Sequence, residues 1–452
     1  MGDAVTALRI GYIGGGSRAW APMLMNDLAQ EPRLGGEVRL YDTDRTAAER
    51  NARLGAWLQH QPGVVSHWSY RVVDQLADAL RGADVVVVSI QPGSLEQMGH
   101  ELAAAERAGL YFPVGDTTGA PGLARGLRAA LLYAGFAAAI AEHCPSAWVI
   151  NYTNPMSVCT RTLTRVAPGL KVFGCCHEVF GTQQLLARLA QRWYGLPEVP
   201  ARHEIAVNVL GINHFTWIDR ASYRGHDLLA RLRGHLGEPG VLRFYDAAEI
   251  RSRDDWFNDE HRIKFELFRR FGILAAAGDR HLAEFVPGFI SSPDELFRWG
   301  IIRTPISYRQ ARYHDAAALV ERLLAGAVPF TLRDSGEEAV QQIAALVGHG
   351  ELVTNVNLAN VGQISNLPLG AVVETNAWFG RDRVVPLAAG ALPPGVAALV
   401  ARHVAVQELI VEAALTRDRE LAFQALCADP TTALPLDRAW ALFEALGLPP
   451  GW

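Results

Sequence analysis

The chain has 452 residues, of which 50% are hydrophobic and 20% charged, with a formal net charge of -5. This is the composition of a globular protein with enough apolar material for two or three domains. Slight acidity, with no Lys/Arg run and no aromatic-basic interleaving, argues against nucleic acid as a partner, and apolar runs such as residues 83–90 are too short to span a bilayer.

Residues 8–13 read as a short apolar strand, followed by a glycine cluster and a helix over about 19–30. Residues 37–41 form a second strand ending at Asp42, 46–61 are helical, and 72–80 lead toward a further helix. Residues 84–90, with four consecutive valines, read as a strand buried on both faces. An Ala-rich helix over 127–144 precedes a strand at 147–151, and 171–173 is another. This alternation predicts a doubly wound parallel sheet. From about Arg202 the pattern changes, with a strand at 207–210 and helices at 254–270 and 396–415. The expected fold class is α/β, a Rossmann-like doubly wound parallel sheet with a C-terminal mixed α+β domain. The division is drawn at residues 1–200 and 201–452.

Five cysteines, Cys144, Cys159, Cys175, Cys176 and Cys427, show no disulfide spacing. The N-terminus has no basic-apolar-small signal pattern. A reduced cytoplasmic compartment is therefore expected.

Gly11-Tyr12-Ile13-Gly14-Gly15-Gly16-Ser17 lies where the first strand meets the first helix. Glycines there allow a tight turn and close approach to a pyrophosphate, which the helix N-terminus favours. Asp42 closes the second strand, where an acid accepts ribose hydroxyls and disfavours a 2′-phosphate, so NAD is expected over NADP. The third fingerprint glycine is missing, Asp42 lies 26 residues beyond Gly16, and Arg45 is close by.

Four further stretches carry chemistry. Asn154-Pro155 follows a sheet strand at the ligand-binding edge, although Asn before Pro is equally a turn. Cys175-Cys176-His177-Glu178 and Asn213-His214 offer thiolate and imidazole ligands, but without the close spacing that would identify a metal site alone. Asp279-Arg280-His281 combines acid, cation and imidazole, which is also what a solvated loop looks like.

Together these stretches resemble glycoside hydrolase family 4, in the family's order and over nearly the whole chain. NYTNPMSVCTR, GCCHEVFGTQ, LGINHFTWI, GDRHLAEF and GELVTNVN, with the TTGAPGLARGLR segment after Asp116, look especially like its α-galacturonidase branch. The resemblance implies a lactate/malate dehydrogenase-like architecture with NAD on Gly14, Gly15, Gly16, Ser17 and Asp42. It also implies Mn2+, or another divalent metal, on Cys176 and His214; only the match to the family's Cys-His pair selects Cys176 over Cys175. Asn154, Arg280 and His281 would bind substrate. His177 would be the proton donor and Asp279 the base, with His281 as its rival. A homodimer or homotetramer is implied too.

The implied reaction is an exception among glycosidases. NAD+ oxidises the sugar at C3, the metal stabilises the enolate formed at C2, the C1 group leaves, water adds, and the hydride returns. The expected substrate is a small uronate oligosaccharide with α-linked galacturonate. Its carboxylate needs a cation, for which Arg18, Arg125, Arg128 and Arg280 are candidates. Alternatives are an α-glucuronidase, α-galactosidase or α-glucosidase of the same mechanism, a hydroxyacid dehydrogenase, and a catalytically silent NAD sensor.

Overall fold

The computed structural model describes residues 5–238 and 240–448. Six parallel strands, β1 (Thr6–Ile13), β2 (Leu34–Tyr41), β3 (Trp68–Val72), β4 (Val85–Val88), β5 (Trp148–Asn151) and β6 (Lys171–Gly174), run in the order β3-β2-β1-β4-β5-β6. This is the Rossmann order, in which ligands bind beyond the carboxyl ends of the strands near the β1/β4 reversal. Alternation along β4 shows why the valine run forms a strand. Val85 and Val87 pack into the core on one face, Val86 and Val88 into the core on the other. Both faces are covered by helices, so every position is apolar.

The C-terminal half first builds a separate antiparallel sheet. β7 (Ile205–Ile212) and β8 (Phe215–Tyr223) form a hairpin, joined by β9 (His226–Asp227) and β10 (Leu274–Ala275). Phe215 and Trp217 of β8 are fully buried, each contributing about 2–3 kcal/mol by transfer from water. The chain then returns to the large sheet. β11 (Leu352–Ala359), β12 (Val372–Gly380) and β13 (Arg383–Pro386) extend it antiparallel beyond β6, with Asn357 opposite Gly174. The division near residue 200 therefore separates stretches of chain, while the nine-stranded sheet takes strands from both.

One strand went unforeseen and two expectations need correction. Residues 72–80 hold the end of β3 and a short helix, Leu76–Leu80; β3 is an edge strand whose half-exposed alternation hid it. The helix expected from residue 254 starts only at Arg262, because His261 takes a left-handed backbone (φ 57) while Asp259 accepts its amide. Helix Gly119–His143 is long and apolar enough to cross a membrane, unlike the shorter runs considered from the sequence. It is nevertheless 56% buried over its apolar window, packs against helices Met156–Val166 and Pro394–Thr416, and carries the buried Arg125, as a core helix does. All five cysteines are free thiols.

Candidate active site

After β1 the chain turns through Gly14-Gly15-Gly16-Ser17 into helix Trp20–Leu28. Gly14 has φ +91, and a Cβ on it would lie 2.0 Å from the Ser89 carbonyl oxygen. A Cβ on Gly16 would lie 2.7 Å from that of Ala47. Only glycine backbone fits this turn. Asp42, just past β2, accepts the amides of Gly16 and Asp44 at 2.8 Å each. Asn51 donates to the Gly15 and Ser17 carbonyls, also at 2.8 Å. Arg45 is ion-paired with Glu49 at 2.7 Å and with Asp74, so it is already engaged. A glycine cradle opening onto a helix N-terminus, with an acid at the end of the next strand, fits the pyrophosphate and ribose of a dinucleotide.

A second group gathers from distant segments along the same sheet edge. Asp116 precedes helix Gly119–His143, Asn154 follows β5, and Cys176 and His177 follow β6. His214 lies in the two-residue turn between β7 and β8, and His281 in the first turn of helix Asp279–Phe285. Ligand atoms of Asp116, His214 and His281 all lie within 4.8 Å of one another. The two imidazoles stack at 3.7 Å between centroids. His214 has φ 61, a left-handed conformation costing a non-glycine residue about 1–2 kcal/mol. That strain is held by the hairpin, whose Ile212 and Phe215 pair on either side.

The Thr117 hydroxyl donates to Asp116 Oδ1 at 2.6 Å, leaving its oxygen to accept from His214 Nδ1–H at 2.9 Å. This relay assigns the proton to Nδ1 and leaves Nε2 with a free lone pair. Burial, with His281 adjacent, pushes His214 down to about 3, so it is neutral. Burial alone would raise Asp116, but His281, His214, Arg125 and Thr117 hold it below the usual carboxylate range. Glu178 is likewise opposed by burial, yet His281, His214 and the Gly278 amide keep it at about 2. Its Oε1 lies 3.6 Å from His281 Nε2, and its Oε2 accepts the Gly278 amide at 2.7 Å. Asn154 Oδ1, Asn213 Oδ1 and His281 Nδ1 are buried without a hydrogen-bond partner. An ionised carboxylate, a neutral imidazole with a bare Nε2 and these unpartnered atoms fit a divalent cation together with sugar hydroxyls.

The sequence-predicted residues fall into distinct positions. Asn154 points its amide nitrogen at Asp116 Oδ2 (3.4 Å), while its carbonyl accepts from Arg125 Nε at 2.9 Å. Cys176 is outside the Asp116–His214–His281 group and lies beside the Asn213 side chain; burial pushes its thiol well up, so it binds a cation only by losing its proton. His177 is half-exposed, donates from Nδ1 to Glu337 Oε1 at 2.9 Å, and stacks on Trp20 at 5.6 Å. That bond to Glu337 raises its pKa despite partial burial. Arg280 is anchored on Thr304 and the Pro113 carbonyl. Asp279, expected as the base, is placed elsewhere. Its two oxygens accept the Ile263 and Lys264 amides at 3.0 and 2.9 Å, capping helix Arg262–Phe271, and it is 1% exposed. A carboxylate so enclosed does not reach a sugar.

Sequence reasoning left Asp116, Thr117, Glu178 and Glu374 without roles. Glu374, on β12, accepts from Asn355 at 2.7 Å and from Asn213 at 3.4 Å, and burial raises it to about 7. Two signals were present. Asp116 opens the TTGAPG segment, and Glu178 directly follows Cys176-His177.

Two family models match the chain: Family 4 glycosyl hydrolase over residues 9–192, and Family 4 glycosyl hydrolase C-terminal domain over residues 209–432. The alpha-galacturonidase of Bacillus subtilis (strain 168) is 49% identical, covering 97% of this chain and 96% of that protein. The alpha-galacturonidase of Thermoanaerobacterium saccharolyticum is 46% identical over 97% of this chain and 95% of its own. A crystal structure of a Bacillus subtilis protein named as a glucosidase superposes with a TM-score of 0.90 at 48% identity, covering 97% of this chain and 99% of that one. A 6-phospho-alpha-glucosidase from gut microorganisms, solved with NAD and Mn2+, shares the fold at a TM-score of 0.79 and 19% identity, covering 98% and 97%.

Proposed function

Because this chain belongs to glycoside hydrolase family 4, we propose that it releases α-linked galacturonate from short oligogalacturonates, with NAD+ and a divalent cation, Mn2+ first, as its resident groups. The observation that carries the reading is one sheet edge with two sites, a glycine cradle and the Asp116–His214–His281 group. A contact links them: Trp20, at the start of the helix that follows the cradle, stacks on His177. When bound, the nucleotide accepts and returns a hydride and the cation acts as a Lewis acid.

The chain's own residues do the rest. His214 Nε2 and Asp116 would hold the cation, with Cys176 as a thiolate ligand. Asn154 orients sugar hydroxyls through its unpartnered Oδ1. His177, whose protonated form the Glu337 bond favours, gives its proton to the leaving oxygen. Proton removal at C2 passes from Asp279 to His281, whose Nε2 faces Glu178 and whose Nδ1 is buried and unpartnered. A cytoplasmic homodimer or homotetramer completes the proposal.

The decisive assay supplies digalacturonate, NAD+ and Mn2+. Galacturonate release without accumulating NADH is expected; stoichiometric NADH would replace the hydrolase with a hydroxyacid dehydrogenase. In His281→Asn, loss of C2–deuterium exchange with Mn2+ retained supports the base assignment, whereas loss of Mn2+ makes His281 a ligand. Sedimentation of the purified protein tests the oligomer.

A further inference from the structure

A sugar carboxylate needs a cation, and the structure separates the arginines that are engaged from those that are not. Arg18 faces Asp44 at 3.7 Å, and Arg128 pairs with the buried Glu101. Arg125 is spent on the Asn154 carbonyl (2.9 Å) and Gln91 (3.2 Å), a positioning contact. Arg280 and Arg309 differ. Arg280 donates to the Pro113 carbonyl at 3.3 Å and to Thr304; Arg309, from helix Ile306–Leu324, donates to the Val114 carbonyl at 3.0 Å. Two guanidiniums are thus tied to adjacent carbonyls of the loop that carries Asp116.

Among the described residues the hydrogen bonds of both go to carbonyls and a hydroxyl rather than to a carboxylate, and the Nε of each is buried without a partner. Phe257 lies 4.8 Å from the Arg280 guanidinium and stacks on it. Three acids act on Arg280: Glu178 and Asp116, both beyond ion-pair distance, and Glu284, whose Oε1 accepts the Val114 and Gly115 amides at 2.6 and 2.9 Å. Burial lifts Glu284 to about 8, which leaves it uncharged at neutral pH. Two partly buried guanidiniums, each with an idle buried Nε, form a place for an anion.

We propose that Arg280 and Arg309 form the clamp for the 6-carboxylate of the sugar and set the preference for a uronide over a hexoside. This rests on the galacturonide reading above, although the clamp can be tested without turnover. A planar carboxylate suits paired guanidinium donors, and a sugar phosphate is the other anion such a site would admit.

The test is calorimetric titration of the NAD+- and Mn2+-loaded protein with galacturonate, galactose and galactose 6-phosphate. Wild type should bind galacturonate at least about 30-fold more tightly than galactose, and Arg309→Met should erase that difference. Arg309→Lys, a milder change that guards against misfolding, should keep only part of it. The uronide-to-hexoside ratio of kcat/KM should fall about 100-fold in Arg280→Met or Arg309→Met. An undiminished preference in both Met variants overturns the clamp. Tighter binding of galactose 6-phosphate than of galacturonate overturns its assignment to a carboxylate. If galacturonate binding depends on Arg309 but no uronide is hydrolysed, the clamp stands and the proposed function falls.

Discussion

The nucleotide cradle and the sugar-facing group sit on one sheet edge but are built in opposite ways. In the cradle the backbone of the turn is answered from within the chain: Asp42 holds the Gly16 and Asp44 amides and Asn51 holds two loop carbonyls, while the unpartnered Tyr12 hydroxyl and Arg18 Nε lie to either side. In the sugar-facing group, Asn154, Asn213, His281 and Arg280 each keep a buried polar atom unpaired. An unpaired buried group costs about 1–3 kcal/mol, so four of them mark a place completed by ligands. One site is formed before binding, while the other is stabilised by what it binds.

This contrast is broken first at His214. His214→Ala removes the bare Nε2 from the cation site, and uronide hydrolysis should fall about a thousandfold together with bound Mn2+ measured by mass spectrometry. Retained metal with lost activity would show that the group is not a cation site. Thr117→Val is the sharper version. It keeps the imidazole but removes the hydroxyl that fixes its tautomer, so Mn2+ affinity should drop about 10- to 100-fold in a metal titration. An unchanged affinity would mean that the relay does not set the tautomer. At the cradle the effect should be smaller. Asp42→Ala should weaken NAD+ about tenfold by fluorescence titration while leaving Mn2+ affinity alone, since its bonds are local.

The same contrast explains what was legible in the sequence. Gly14 to Ser17 and Asp42 act within one βαβ unit, and the valine run of β4 is apolar because both faces are covered, so local pattern sufficed. The sugar-facing group joins residues 116, 154, 214 and 281, which no spacing rule connects; resemblance brought most of them forward, and the fold added Asp116, Thr117 and Glu178. The late strands β11 to β13 escaped because strand pairing across nearly two hundred residues, such as Asn357 with Gly174, leaves no local signal. Asp279 misled for a physical reason. Acid, cation and imidazole stand in a row, but in the first turn of a helix successive side chains diverge, and that acid turns inward to cap a neighbouring helix. Asp279→Asn should accordingly cost about 1–3 kcal/mol in denaturant unfolding by leaving one amide unanswered. Solvent exchange at C2 should persist; its loss in a folded variant would restore Asp279 as the base.

The smallest predicted effect concerns His177, which lies between the two sites, stacked on Trp20 and bonded to Glu337. The Glu337 bond raises the imidazole above its ordinary pKa, so the cation persists to higher pH than in a free histidine. A proton donor must be protonated, so the rate should fall as pH rises through this raised value. Glu337→Gln removes the charge and lowers the pKa. The basic limb of the kcat/KM profile should therefore move to lower pH. Well below both values His177 is protonated either way, and the rates of the two proteins should converge there. Because the hydrogen bond of the Glu337 carboxylate goes to His177, NAD+ and Mn2+ affinities should not follow the shift. A basic limb that stays in place would take the proton-donor role away from His177 and leave its contact with Trp20 as packing between the cradle and the sugar-facing edge.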